Sequence, residues 1–281
     1  EYKFTPKFAD IVTGVSGRIY RPDSKGTIFK DSAGIRITNY EYGLYAGLDK
    51  KTKDNHWKIN LTARLDKNQN FNFLLSPAAS VLYLPSKEHN FRFTVSRAIR
   101  NPTLADQYLY YNVGRAILVG NLDGFDSLIT IESFNAYREN LDVGRIQYQK
   151  VAPIEPEKVL TFEVGYKAEI NRKLFIDAGY YYSIYTSFIG YNIGLVTKFD
   201  QVTSFPVGGI QVYRLAANSQ DKVNTSGFNI GYSYFFKKYS FTGNYSFNTI
   251  NLRSTDDPII PAFNTPKHKF NLGLSGRECK L

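Results

Sequence analysis

Residues 174–188 read LFIDAGYYYSIYTSF, and the stretch keeps strict time. Its even positions are Leu174, Ile176, Ala178, Tyr180, Tyr182, Ile184 and Phe188, with Thr186 the exception. Its odd positions are Phe175, Asp177, Gly179, Tyr181, Ser183, Tyr185 and Ser187, mostly small, polar or phenolic. Successive side chains of a strand point to opposite faces, so the stretch reads as a two-faced strand. A soluble sheet turns its greasy face onto a core. A membrane barrel turns it outward into lipid.

The rest of the chain decides between these two. The same beat recurs in WKINLTARL (57–65), KVLTFEVGYKAEI (158–170), GFNIGYSYFF (227–236), YSFTGNYSFNT (239–249) and HKFNLGLSG (268–276). FRFTVSRAI (91–99) follows it too, except that Arg97 falls on the apolar beat. Weaker versions lie at 11–20, 35–48 and 71–84, which makes about ten strands and leaves no convincing amphipathic helix. The runs last about 9 to 15 residues, where soluble strands cluster near 5 or 6 and a tilted membrane strand needs about 9 to 11. The connections alternate. Those at 48–56, 85–90, 170–173 and 237–238 are short, whereas 21–34, 101–156, 189–221 and 251–264 are long, with 66–70 a short member of the long set. Outer-membrane barrels have this asymmetry, with tight periplasmic turns and long extracellular loops. The polar beat suits a wet or plugged lumen. The aromatics near strand ends, such as Trp57, Tyr83, Tyr180, Tyr182 and Phe188, suit the headgroup level. The expected fold is all-β, a transmembrane antiparallel β-barrel with about ten strands in this chain. The alternative is a soluble β-rich module that binds glycan or nucleic acid.

Composition narrows the function classes. Of 281 residues, 16% are aromatic, with 22 Tyr and 21 Phe, which favours strands. No run of about 18 apolar residues occurs, so a transmembrane helix is not expected. Cys279 is the single cysteine, so no internal disulfide can form. The start, EYKFTPKFAD, is not a signal peptide, and the chain has no Met, so it reads as a mature or internal piece of something longer. The net charge of +10 is spread without a block of like charges, and no nucleic-acid partner is expected. His56, His89 and His268 are isolated, which is not a metal-ligand pattern. Asp256–Asp257 precedes Pro258 and reads as a solvated turn, and SQDK (219–222) lacks the companions of a serine acylase. The expectation is no enzyme activity, no catalytic residue, no metal and no cofactor.

The site candidate is the long segment 101–156, because a loop of that length is rarely idle. It mixes Tyr108, Tyr110, Tyr111, Phe125, Phe134 and Tyr137 with Arg115 and Arg138. Aromatic platforms with a few charged anchors suit sugars, peptides or iron chelates. The competing reading is a small self-packed lid. The segment 189–221, with Tyr191, Phe199 and Tyr213, is the second candidate.

Several stretches resemble the TonB-dependent outer-membrane receptor family: YRPDSKGTIF (20–29), EYGLYAGLDKK (41–51), INLTARLDKNQNF (59–71) and NTPKHKFNLGLSG (264–276). The most family-typical are Pro156-Glu157-Lys158 followed by Glu163, Gly165, Tyr166 and Lys167, and then SRAIRNPTL (96–104). The nearest branch is the one common in Bacteroidota, whose SusC-like relatives import glycans. The resemblance covers nearly the whole chain, as the later half of the family's barrel, which has roughly 22 strands around an N-terminal plug. Neither the plug nor the last strands are recognised here, and SGRECKL lacks the aromatic residue that usually ends such a barrel. The resemblance implies residence in the bacterial outer membrane, among lipid and lipopolysaccharide. It also implies substrate capture at external loops and import driven by the inner-membrane TonB system through the plug. A surface lipoprotein partner fits the same branch.

Overall fold

The computed structural model describes residues 1–32, 34–252, 260–261 and 265–276. Cys279, Asp256–Asp257 and the end of SGRECKL lie outside the described residues. The chain opens with β1 (Tyr2–Phe4), β2 (Asp10–Tyr20), β3 (Asn39–Lys51), β4 (Trp57–Asn68), β5 (Leu74–Tyr83) and β6 (His89–Arg100). The segment after β6 holds α1 (Leu104–Tyr108), β7 (Tyr110–Asn112), β8 (Ile117–Val119), β9 (Phe125–Ile129), α2 (Ile131–Asn140), one 3-10 turn (Val143–Arg145) and β10 (Tyr148–Val151). Then come β11 (Glu157–Ile170), β12 (Leu174–Thr186), β13 (Ile189–Phe199), β14 (Pro206–Asn218), β15 (Val223–Phe236), β16 (Tyr239–Leu252), β17 (Ile260–Pro261) and β18 (His268–Gly276).

Two sheets result. An 11-stranded antiparallel wall runs β1-β2-β3-β4-β5-β6-β11-β12-β15-β16-β18. Its register joins like to like: Leu61, Ala79, Val95, Phe162 and Tyr182 fall in one row, and Ile176 continues to Tyr232. The apolar row is uncovered. Val15 is 77% exposed, Leu61 46%, Val164 54% and Ile230 46%. On the other face polar groups are the buried ones, with Ser183, Thr225 and Asn68 all nearly inaccessible. That inversion of inside and outside is the arrangement of a wall whose solvent is lipid. At one end the strands join by tight turns; at 171–173, Asn171 and Arg172 both take left-handed backbone, at φ 51° and 55°. At the other end the connections after β2, β6 and β12 are far longer, while the one after β4 (69–73) is as short as those at the tight-turn end, as the sequence reading of 66–70 expects.

Those longer connections build the second sheet, which runs β10-β9-β13-β14-β8-β7, with β17 paired to β13. Three separate connections contribute strands to it. Its core is a protein core in the ordinary sense: Leu128, Leu215, Ile117, Val119 and Val151 in one cluster, and Ile129, Phe134, Tyr137 and Leu195 in another. Packing is tight enough that a Cβ on Gly194 of β13 would lie 2.7 Å from the Leu128 Cβ of β9.

One expectation needs correction. Helices do occur: α2 has ten residues, capped where Thr130 Oγ1 accepts from the Ser133 amide. It escaped notice because it buries only Ser133, Phe134 and Tyr137, too few positions to mark a period. The segment 189–221 joins the wall strands β12 and β15, and most of it is the β13–β14 hairpin. Most of the first seven residues of β13 are covered on both faces, so IGYNIGL carries no alternation to read. SQDK does lie in a turn, between β14 and β15, where Ser219 Oγ donates to the Asp221 carbonyl.

Candidate functional site

Where the wall meets the second sheet, a cleft of about 470 Å³ opens. Three connections line it. Residues 21–38 supply Lys30 and Arg36, the turn after β4 supplies Gln69, and the segment after β6 supplies Tyr108, Tyr110, Asp123 and Phe125. The Lys30 ammonium stands over the Tyr110 ring, 4.6 Å from its centroid, a cation–π contact. Phe29 bridges to Leu109, and the Tyr110 amide donates to the Ile28 carbonyl at 2.8 Å, so the first and third walls of the cleft are stitched together by backbone.

Each wall is held locally. The 21–38 connection is tied by Asp31, whose carboxylate accepts from the Ser24 amide, the Ser24 hydroxyl and the Gly26 amide. The Ser24 amide is the strongest of several donors that hold the Asp31 carboxyl below the usual range. Tyr108 is fixed by a polar network on the wall's rim. Its hydroxyl accepts from Asn70 Nδ2 at 2.6 Å. The buried Gln107 accepts from Asn39 and Asn70 through Oε1 and donates to the Pro102 carbonyl through Nε2. Asn68 donates to Asn39 at 2.9 Å. Behind the cleft, Asn121 donates through Nδ2 to the carbonyls of Ala152 and Ala216, 2.8 Å each, and so binds this segment to β14. Gly120 has to be glycine, because a Cβ there would lie 2.4 Å from the Gln107 and Tyr108 backbone.

The structure thus brings Tyr108, Tyr110 and Phe125 together. Tyr111 and Arg115 lie beside them on the β7–β8 hairpin, Tyr111 45% exposed and Arg115 in the exposed turn. Phe134 and Tyr137 are elsewhere, packed against β9 and β13, and the Tyr137 hydroxyl donates to the Ser204 carbonyl at 2.7 Å. Those two rings have almost no surface to offer a ligand. Arg138 is on the exposed side of α2. In the second candidate segment, the Arg214 guanidinium lies 3.7 Å from the Tyr191 ring centroid, Phe199 packs on Tyr137, and Tyr213 on Phe125. Sequence reasoning did not find Lys30, Arg36, Gln107 or the Asn39–Asn68–Asn70 network. Only the Asn68–Asn70 part has a legible signal, the run Asn68-Gln69-Asn70, which in sequence reads simply as a connection. No group of three or more His, Cys, Asp or Glu gathers among the described residues in a way that could hold a metal ion.

The two family-typical motifs meet at the same rim. Arg100, from SRAIRNPTL, donates through Nη2 to the buried Glu157 carboxylate at 2.9 Å. Glu157 also accepts from the Ile189 amide at 2.9 Å, where β13 begins. The motif pair therefore clamps the root of both large connections to the wall.

The fold and this rim define a class of outer-membrane β-barrel, and the comparisons agree. The family described as TonB dependent receptor-like, beta-barrel matches residues 4–277. The chain belongs to that family and is an outer-membrane barrel portion. No curated protein matches it by sequence. Among solved structures it resembles the FrpB iron transporter from Neisseria meningitidis (12% identity, TM-score 0.62), over 98% of this chain and 38% of that one. It resembles the copper transporter OprC (14%, TM-score 0.62), over 99% and 40%. It also resembles the siderophore receptor PirA from Acinetobacter baumannii (13%, TM-score 0.61), over 92% and 36%. At these identities the likeness is one of fold. The chain spans about two fifths of the length of each.

Proposed function

We propose that the protein is a receptor that binds a substrate at its long connections, on the cell surface, and imports it into the periplasm with energy from the inner-membrane TonB system. The observation that carries this reading is the rim. A lipid-facing wall ends, at its long-connection side only, in a separately cored sheet that forms a cleft with two cations, two phenols and a phenyl ring. Nothing in the cleft pairs a nucleophile with a base, so the reading is capture and passage rather than conversion. The neighbours that carry iron, copper or siderophores make a metal chelate a natural class to try. Lys30 and Arg36 favour an anionic one. The TonB system would act through a plug, as the family implies.

The test uses the full-length protein in cells. Substrate-dependent growth should vanish when the TonB system is deleted. Lys30→Gln with Tyr110→Ala should weaken surface binding about tenfold while leaving the protein folded in the outer membrane. Uptake that persists without TonB, or binding indifferent to the cleft variants, contradicts the reading.

A further inference from the structure

Arg97 interrupts the apolar beat of β6, and the structure does not turn it inward. It pairs across from Leu160 on β11, on the outward face, and is exposed. Its row runs on through Leu160 and Ile184 to Asn224 and Asn251, so Arg97 sits at the edge of the apolar band on the long-connection side. Lys158 is paired with that Ile99. Arg97 and Lys158 are therefore diagonal neighbours on one face, roughly 7–8 Å apart and within reach of a common anion for two long side chains. Neither has a hydrogen-bond or ion-pair partner among the described residues. The outward beat of the described wall strands carries no Asp or Glu at all, so no protein carboxylate could neutralise them.

The backbone leaves room there. The β5–β6 ladder stops at Ala78 and Ser96. Pro77, which has no amide to donate, pairs only with Ala63 of β4. Just past Ser96, then, β6 has a neighbour on its β11 side and none on its β5 side, and Arg97 stands at that notch. An outward Arg costs roughly 2–4 kcal/mol at the bilayer midplane and close to nothing near the interface. Such a residue persists where a headgroup meets it. A guanidinium binds phosphate through two parallel hydrogen bonds, with a lysine adding a point charge.

We infer that Arg97 and Lys158 form a binding site for the phosphate of an outer-leaflet glycolipid, seated in the notch beside Pro77. This rests on the proposed sidedness, in which the long connections face the cell exterior, and not on the substrate. The site explains why the break in the lipid-facing pattern of β6 at its long-connection end is a cation.

The experiment is native mass spectrometry of the full-length protein in detergent, with added bisphosphorylated glycolipid, the same glycolipid dephosphorylated, phosphatidylglycerol or phosphatidylethanolamine. Wild type should retain the bisphosphorylated glycolipid selectively. Arg97→Gln with Lys158→Gln should cut that retention roughly tenfold, Arg97→Lys should restore part of it, and Lys50→Gln, outward at the opposite end, should change nothing. Each variant must keep its heat-modifiable folded band. Undiminished retention in the double variant, equal retention of the dephosphorylated lipid, or competition by millimolar inorganic phosphate overturns the inference. A preference for phosphatidylglycerol also overturns it. Lost import with lipid retention intact strikes only the proposed function.

Discussion

Leu61 of the wall and Leu215 of the second sheet are the same residue in the same kind of strand, yet one is 46% exposed and the other 0%. The difference is the medium each was selected against. Leu215 has Leu128, Val119 and Ala217 around it, which is how a sheet in water shelters its apolar side. Leu61 has only its row mates Leu48 and Ala79 beside it and no protein in front. Acyl chains complete its environment. Polar side chains invert in the same way: Thr225 and Ser183 are buried on the wall's inner beat, whereas the second sheet keeps its charges at its surface, as with the exposed pair Lys150 and Asp126. One chain therefore carries two folding codes, divided at the rim where Arg100 meets Glu157.

The comparison can be broken by cavities. Leu215→Ala should cost about 2–5 kcal/mol, because the gap it leaves is walled by protein that cannot close fully. Limited proteolysis of the long connections would read that loss. Leu61→Ala should cost far less, since lipid fills the space, and equal sensitivity of the two sites would remove the distinction.

Charge sharpens the same contrast in the other direction. Leu61→Arg or Ile176→Arg should disfavour the folded barrel by about 2–4 kcal/mol each, seen as loss of the heat-modifiable band. Thr161→Arg and Asn244→Arg, on the inner beat, should leave that band intact.

A smaller effect belongs to the joint between the regions. Asn121→Ala removes the donor to the Ala152 and Ala216 carbonyls, of which the Ala216 contact is buried. A loss of about 1–3 kcal/mol is expected, measurable as faster amide exchange in β8 and β14 with the wall unaffected. The smallest effect is in pH. Asp31 has a depressed carboxyl, so its hold on the 24–31 turn is full above the ordinary Asp range and is lost as pH falls through the lowered value. Exchange at the Ser24 and Gly26 amides should quicken only below that range, and Asp31→Asn should abolish the dependence.

How much of this was legible follows from the same division. The wall was readable because a strand with lipid on one side and polar contents on the other must alternate, and β4, β11, β12 and β15 do so over most of their length. The second sheet was not, because β13 is covered on both faces and α2 buries too few positions to set a period. The cleft was half legible. Tyr108, Tyr110 and Phe125 lie in one long segment rich in aromatics. Lys30 and Arg36 arrive from a connection about 70 residues earlier, and no local pattern announces that meeting. Phe134 and Tyr137 looked the same in sequence as the cleft aromatics. Only the packing of α2 on β9 and β13 separates them.

The most direct test of the account is a spin-label scan along β11. Single cysteines are placed at each of residues 158–170 in a Cys279→Ser background, in the full-length protein reconstituted in bilayers. Accessibility to oxygen and to a water-soluble nickel chelate is then measured. The account predicts an oscillation of period two, with oxygen maxima and nickel minima at Leu160, Phe162, Val164 and Ala168. Maxima at Thr161, Glu163 and Lys167, or no oscillation at all, would contradict it.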